Sequence, residues 1–252
     1  MKLIKMKINY IIYIINFNMK TITLLPDELI YMILEKLYST RDLVALSTCS
    51  KRLNFICKDT NYKNEIYDIK DKENKIEQVL NFNKSINLKL DLSWCDNISD
   101  VSKFGNVHTL NLSSCTGVTD VSMLGNVHTL NLSYCYKVSD VSMLGNVHTL
   151  SLVECRNIID VSMLGNVHTL NLSACKNISD VSALVNVHTL NLSCCYKVSD
   201  VSMLGNVHTL NLSNCENIID VSMLGNVHTL NLSGCYKIID FLMLLNVHDL
   251  RV

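Results

Sequence analysis

From Asn87 onward a 20-residue unit repeats eight times without an insertion, and no other feature of the 252-residue chain limits its fold so severely. The units begin at positions 87, 107, 127, 147, 167, 187, 207 and 227, and a fragment runs from Val247 to Val252. The unit is V-H-T-L-N-L-S-x-C-x-x-(V/I)-x-D-V-S-M-L-G-N. A unit this small cannot bury its apolar face alone and must stack on its neighbours. Between Val107 and Asn126, the segment Thr109-Leu110-Asn111-Leu112-Ser113 alternates polar and apolar residues, the period of a strand with one buried face. About fifteen residues separate successive strands, too many for hairpins, so the copies are predicted to pair in parallel. At ~4.8 Å per strand, eight coils would span about 38 Å.

The return path of each coil leads from Cys115 past Val118 and Val121 to Leu124-Gly125-Asn126. Asp120 precedes Val121-Ser122-Met123-Leu124, where its carboxylate is expected to accept hydrogen bonds from the first amides of a helical turn. Only one turn fits, so the convex side is expected to be 3-10-like or irregular. Gly125 and Asn126 are expected to supply the positive φ that re-aims the chain into the next strand.

Three polar columns follow from the constant phase. Cysteines 95, 115, 135, 155, 175, 195, 215 and 235 admit a metal or redox reading, because stacked neighbours would lie within disulfide reach. The preferred reading is a small buried thiol filling the turn after each strand. Cys194, beside Cys195 but outward, is the expected reactive thiol. The histidine column, His108 to His248, comes without the closely spaced ligand pairs that structural zinc needs. The aspartate column, Asp100 to Asp240, offers one carboxylate per coil, a thin ligand set for calcium. No metal and no cofactor are therefore expected. Nor is catalysis: there is no Gly-rich phosphate loop, no nucleophile elbow, and no acid, base and nucleophile standing apart from the repeat.

Composition narrows the partners. Lys plus Arg (22) nearly cancels Asp plus Glu (23), so no net field draws the chain to nucleic acid or an anionic membrane. The eleven cysteines are odd in number, and eight of them belong to the column, which argues against a disulfide framework. Asn-Leu-Ser recurs at Asn111, Asn131, Asn171, Asn191, Asn211 and Asn231, and glycans there would coat the sheet. Cytoplasmic or nuclear residence avoids that difficulty. The apolar run Ile8 to Phe17 is too short to span a bilayer, and residues 1–18 are expected to be an upstream extension or a poorly ordered arm before Met19.

The motif Leu110-x-Leu112-x-x-Cys115-x-x-Val118-x-Asp120 resembles the signature of cysteine-containing leucine-rich repeats, and D-V-S-x-L resembles the short bacterial internalin-type repeat. The resemblance covers residues 87–252 and implies an α/β solenoid: a right-handed leucine-rich-repeat horseshoe with a parallel β-sheet on its concave face. Concave positions barely vary between coils, whereas the two positions flanking the cysteine do. Aromatic and charged side chains there are the types that anchor interfaces. Trp94, Tyr134, Tyr136, Glu154, Arg156, Tyr196, Glu216 and Tyr236 are the candidate target-binding residues, with drift on a solvated edge as the plain alternative. In the last coil Phe241 replaces Val and Leu245 replaces Gly; with no polar cap in view, its strand is expected to pair with another chain or to fray.

Between Leu25 and Lys58, apolar Leu29, Ile30, Ile33, Leu34 and Leu37 recur at helical spacing behind Pro26, the only proline. Ser39 or Thr40 can cap a second helix, and Ser50 a third. Three short helices bury too little surface to stand alone, so a partner is expected to complete them. The segment resembles an F-box: L-P-x-E, a helix ending in leucine, R-D-L, then C-S-K-R-L with Leu53 where the family often carries tryptophan. The plain alternative is a helical cap for the first coil. The resemblance implies docking on a Skp-type adaptor of a cullin-RING ubiquitin ligase through Leu25, Pro26, Ile33, Leu37, Leu43, Leu46 and Leu53. Residues 19–58 would form this module, and 59–86 a partly helical connector. The chain is then expected to be a substrate-recognition subunit of that ligase. The alternatives are a scaffold, or an inhibitor that sequesters the adaptor without ubiquitinating anything, and a secreted recognition protein glycosylated at the Asn-Leu-Ser sites.

Overall fold

Alternating leucines two residues apart can share a core only if successive coils stack in register, and in a computed structural model of the protein they do. The structure describes residues 66–68 and 89–252. The chain divides into two units, Met1–Lys89 and Leu90–Val252. Within the first, a short strand, β1, spans Ile66–Asp68, in the segment expected to be partly helical. The three predicted helices and residues 1–18 lie outside the described residues.

Nine three-residue strands follow, from β2 (Lys89–Asp91) through β3 (Thr109–Asn111), β4 (Thr129–Asn131), β5 (Thr149–Ser151), β6 (Thr169–Asn171), β7 (Thr189–Asn191), β8 (Thr209–Asn211) and β9 (Thr229–Asn231) to β10 (Asp249–Arg251). They lie side by side in chain order. From β3 onward every pair is parallel and matches residues 20 apart, Leu110 facing Leu130, Leu130 facing Leu150, and so on to Leu230 facing Leu250. The strands are shorter than the alternation predicts, yet the ladder outlasts them. The Leu112 amide donates to the Asn131 carbonyl and the Ser114 amide to the Ser133 carbonyl, both at 2.8 Å.

Each coil sends the same side chains inward. In the second these are Val107, Leu110, Leu112, Cys115, Val118, Val121 and Leu124, all essentially inaccessible. Burying a side chain of this size contributes about 1.5–3 kcal/mol, so the stacked columns dominate the stability of the solenoid. The far side of each coil is a single 3-10 turn, such as Ser122–Leu124, as the shortness of the return path requires. Asp120 caps it as expected: its Oδ1 accepts the Ser122 amide at 2.9 Å, across Val121 at the N-cap position.

The glycine expectation is corrected. Gly125 has φ −61°, within ordinary right-handed space. It is required for closeness instead, because a Cβ built there falls on the Met143 carbonyl oxygen of the next coil. The positive φ lies eleven residues earlier, at the position before the cysteine. Trp94, Ser114, Tyr134, Glu154, Ala174, Cys194 and Asn214 all have φ between 58° and 64°, and Gly234 has 79°. This left-handed residue ends each run of ladder hydrogen bonds and turns the chain toward the core-facing cysteine. An L-residue there costs about 1–2 kcal/mol, partly offset by the greater freedom of glycine in the unfolded chain. Ala174→Gly should therefore raise the unfolding free energy by about 0.5–1 kcal/mol, measured by urea titration.

Candidate functional site, the variable ridge

The left-handed turn has a functional consequence. It swings the residue before the cysteine out of the sheet, so that this position and the one after the cysteine form a ridge along one margin of the solenoid. All eight candidate target-binding residues lie on it. Trp94 and Tyr236 stand at its two ends, 76% and 86% exposed. Between them the ridge is organised. The Tyr134 and Tyr136 rings meet edge to face with centroids 6.3 Å apart, and the Arg156 guanidinium of the next coil lies over the Tyr136 ring at 5.3 Å. Arg156 also pairs with Glu154, whose Oε2 accepts from Nε at 2.7 Å. That hydrogen bond raises the arginine pKa further, so the charge is permanent.

Tyr134, Tyr136, Glu154 and Arg156 thus form one cluster across two coils. Each exposed contact is weak by itself, but together they hold the aromatic faces in place before any partner arrives. In the next coil Lys176 lies 5.8 Å from the centre of the Tyr196 ring of the coil after it. The neighbouring Cys194 sulfur raises the pKa of the Tyr196 hydroxyl above the usual phenol range. Glu216 is exposed one coil further along.

Beside the ridge runs a third column that sequence reasoning missed. The Asn177 side-chain amide donates to the Arg156 carbonyl at 2.7 Å, and the Lys197 ammonium donates to Asn177 Oδ1 at 2.8 Å. Asn217 and Lys237 repeat the pattern against Tyr196 and Asn217. The alternation of Asn and Lys at these positions was the available signal, since an amide can accept from one neighbour while donating to another.

The cysteine column is a hydrogen-bonded spine. Each thiol from Cys115 to Cys235 donates to the carbonyl of a leucine in the preceding coil at 3.0–3.2 Å, Cys135 to Leu112 for example. The same Leu112 carbonyl accepts the Cys115 amide at 3.1 Å, so the thiol fills its second lone pair. The arrangement needs the proton on sulfur. Burial keeps it there, pushing the Cys135, Cys175 and Cys215 thiols up to about 12. Such thiols are poor nucleophiles. Among the described residues, Cys95 and Cys194 are half-exposed and the other cysteines are buried. Brief alkylation of the native protein followed by peptide mass spectrometry should label Cys194 and Cys95 while sparing Cys115 to Cys215; equal labelling throughout would contradict the buried spine.

The histidines stack face to face. Ring centroids from His108 through His248 lie 4.6–4.7 Å apart, with planes within 16° of parallel. In seven coils Nδ1 lies 3.1–3.3 Å from the next residue's threonine Oγ1, as His128 does from Thr129. Partial desolvation, then the His128 and His168 rings, lowers the His148 pKa below its ordinary value. Among the described residues, no three His, Cys, Asp or Glu side chains converge on a common metal position, and no helix is long and apolar enough to cross a membrane.

The docking residues expected for the N-terminal module, Leu25, Pro26, Ile33, Leu37, Leu43, Leu46 and Leu53, lie outside the described residues. Residues 22–64 match the family model described as F-box-like. The chain joins an F-box-like segment to a leucine-rich-repeat solenoid. Solved structures similar to it include an internalin C2 of Listeria monocytogenes, at 24% identity over 60% of this chain and 72% of that one, with a TM-score of 0.46. An internalin of the same organism matches at 20% identity over 73% and 72%, TM-score 0.41. A Leptospira interrogans leucine-rich-repeat protein matches at 18% over 63% and 51%, TM-score 0.41. No curated protein matches the sequence.

Proposed function

We propose that this chain is the substrate-recognition subunit of a Skp-cullin-F-box type ubiquitin ligase. The F-box-like segment holds a Skp-type adaptor, and the variable ridge of the solenoid holds a target protein. The observation that carries this reading is the F-box-like match at residues 22–64, which spans every docking residue from Leu25 to Leu53. A segment of this size with a wide apolar stripe needs a partner to cover it. The ridge supports the other half of the reading, because preorganised tyrosines bracketed by an arginine are what a protein interface uses as anchors. The chain itself performs no chemistry here: it raises the local concentration of target around a catalytic site that other subunits supply.

Titration calorimetry of the full chain with a purified Skp-type adaptor tests the docking. Leu25→Ala combined with Pro26→Ala is expected to weaken binding at least ~100-fold, the effect of losing two buried apolar anchors. The melting of the solenoid should be unaffected, since the unit Leu90–Val252 has its own core. Unchanged affinity in the double variant would refute the assignment.

A further inference from the structure

Opposite the strands, the 3-10 turns carry a surface with no role in the reading above. Met123, Met143, Met163, Met203, Met223 and Met243 occupy the middle of six of the eight turns, with Lys103 and Ala183 in the other two, and are each 53–62% exposed. Singly exposed apolar residues need no explanation, but an apolar side chain in register on six of eight coils makes a stripe. Ile159, Ile219 and Ile239 lie at a nearby position in three coils and are more exposed still.

A second column flanks this stripe. Asp100 to Asp240 are exposed, and each from Asp100 to Asp220 turns Oδ1 inward to the amide two residues on at 2.8–3.0 Å. That bond consumes one oxygen and leaves the charge. Neighbouring carboxylates repel one another, as Asp100 and Asp140 do Asp120, and Lys103 is a nearby cation only for Asp100. Among the described residues, the ion pairs are Arg156–Glu154 and Arg251–Asp249, neither in this column.

Between the two columns the coils leave a groove. One cleft of about 390 Å³ is lined by Asp180, Asp200 and Met203, and a second of about 300 Å³ by Asp200, Asp220, Ile219 and Met223. They share Asp200 and Val201, so the groove continues across three coils.

We propose that this groove binds a basic amphipathic helix of a partner protein, with Lys or Arg along one flank meeting the aspartates and apolar residues on the other meeting the methionines. The charge of the column selects a cationic occupant. The spacing favours a helix: a helix repeats its face every ~5.4 Å, within about 1 Å of the ~4.8 Å that separates the paired strands of successive coils. An extended peptide presents the same face every ~6.8 Å and drifts by about 2 Å at each coil. Methionine, flexible and polarizable, suits the apolar half of such a contact.

Fluorescence anisotropy with a labelled basic amphipathic helical peptide of about 15–18 residues, leucine on one face and lysine beside it, tests this on the full chain. The peptide should bind, and Asp180→Asn/Asp200→Asn/Asp220→Asn should weaken it about tenfold, because Asn keeps the amide acceptor and removes only the charge. Met203→Ser/Met223→Ser should weaken it by a similar factor, and a scrambled peptide of the same composition should bind about tenfold less well than the amphipathic one. Thermal melting of the variants serves as the control for folding. Absence of binding, equal binding by the Asp→Asn variant, or equal binding of the scrambled peptide would overturn the proposal. Self-association of the chain that the Met→Ser variant abolishes, with no peptide binding, would do so in favour of a second copy.

Discussion

Leu172→Ala is expected to lower the unfolding free energy by about 2–5 kcal/mol, among the largest effects available to a single substitution in the solenoid. Leu172 is wholly inaccessible in the middle of the array, between Leu152 and Leu192 of the adjoining coils, both equally buried. Truncating it opens a cavity that neither neighbour can fill, since each is held by the sheet register. Leu250, in the last coil, is only half-buried, and Leu250→Ala should cost less than about 1 kcal/mol. Urea unfolding of both variants provides the comparison. Similar losses at the two sites would mean that coils are not stabilised by their neighbours on both sides.

Gly145→Val is expected to cost about 1–3 kcal/mol although the glycine has ordinary backbone angles. A Cβ at this position meets the Met163 carbonyl oxygen, a backbone atom that cannot swing aside. The chain contains its own controls. Val185 stands at the equivalent position, and there the 3-10 turn lengthens from three residues to five, Ser182–Asn186, with the facing turn likewise lengthened to Ser202–Asn206. A larger side chain is therefore accommodated there, and the bonds that close the two turns, the Val187 amide to the Leu184 carbonyl and the Val207 amide to the Leu204 carbonyl, keep lengths of 3.1 and 3.0 Å. Leu245, at the same place in the last coil, is exposed, and Leu245→Val should change stability by less than about 0.5 kcal/mol. A Gly145→Val protein as stable as the parent would show that the close approach carries no energetic weight.

These two cases mark what could be read along the chain and what could not. Leu110 and Leu112 announced a buried strand face by their spacing alone, and the short return path dictated a 3-10 turn. Both are properties of one coil. The role of Gly125 is a property of two coils, and so it was assigned to positive φ when its cause is the carbonyl of the neighbour. The true left-handed position carried a faint signal in Asn214 and Gly234, residue types that tolerate such backbone, masked by Trp, Tyr and Glu elsewhere in the column. The thiol spine and the histidine stack were visible as columns. What they do depends on which carbonyl or ring lies ~4.8 Å away, which a single unit does not reveal. Of the ridge, the residues were legible and the connections were not: nothing in the order Tyr-Cys-Tyr and Glu-Cys-Arg shows that an arginine of one coil will lie over a tyrosine of the coil before.

The central claim is that two binding functions occupy separate parts of one chain. Affinity purification of the full chain from its native cells, with quantitative mass spectrometry of the bound proteins, tests it most directly when run on two variants. Leu25→Ala/Pro26→Ala should lose the Skp-type adaptor and cullin while retaining a set of other proteins. Tyr136→Ala/Arg156→Ala/Tyr196→Ala should keep adaptor and cullin while depleting that same set. Loss of both classes in either variant, or of neither in both, would contradict the account.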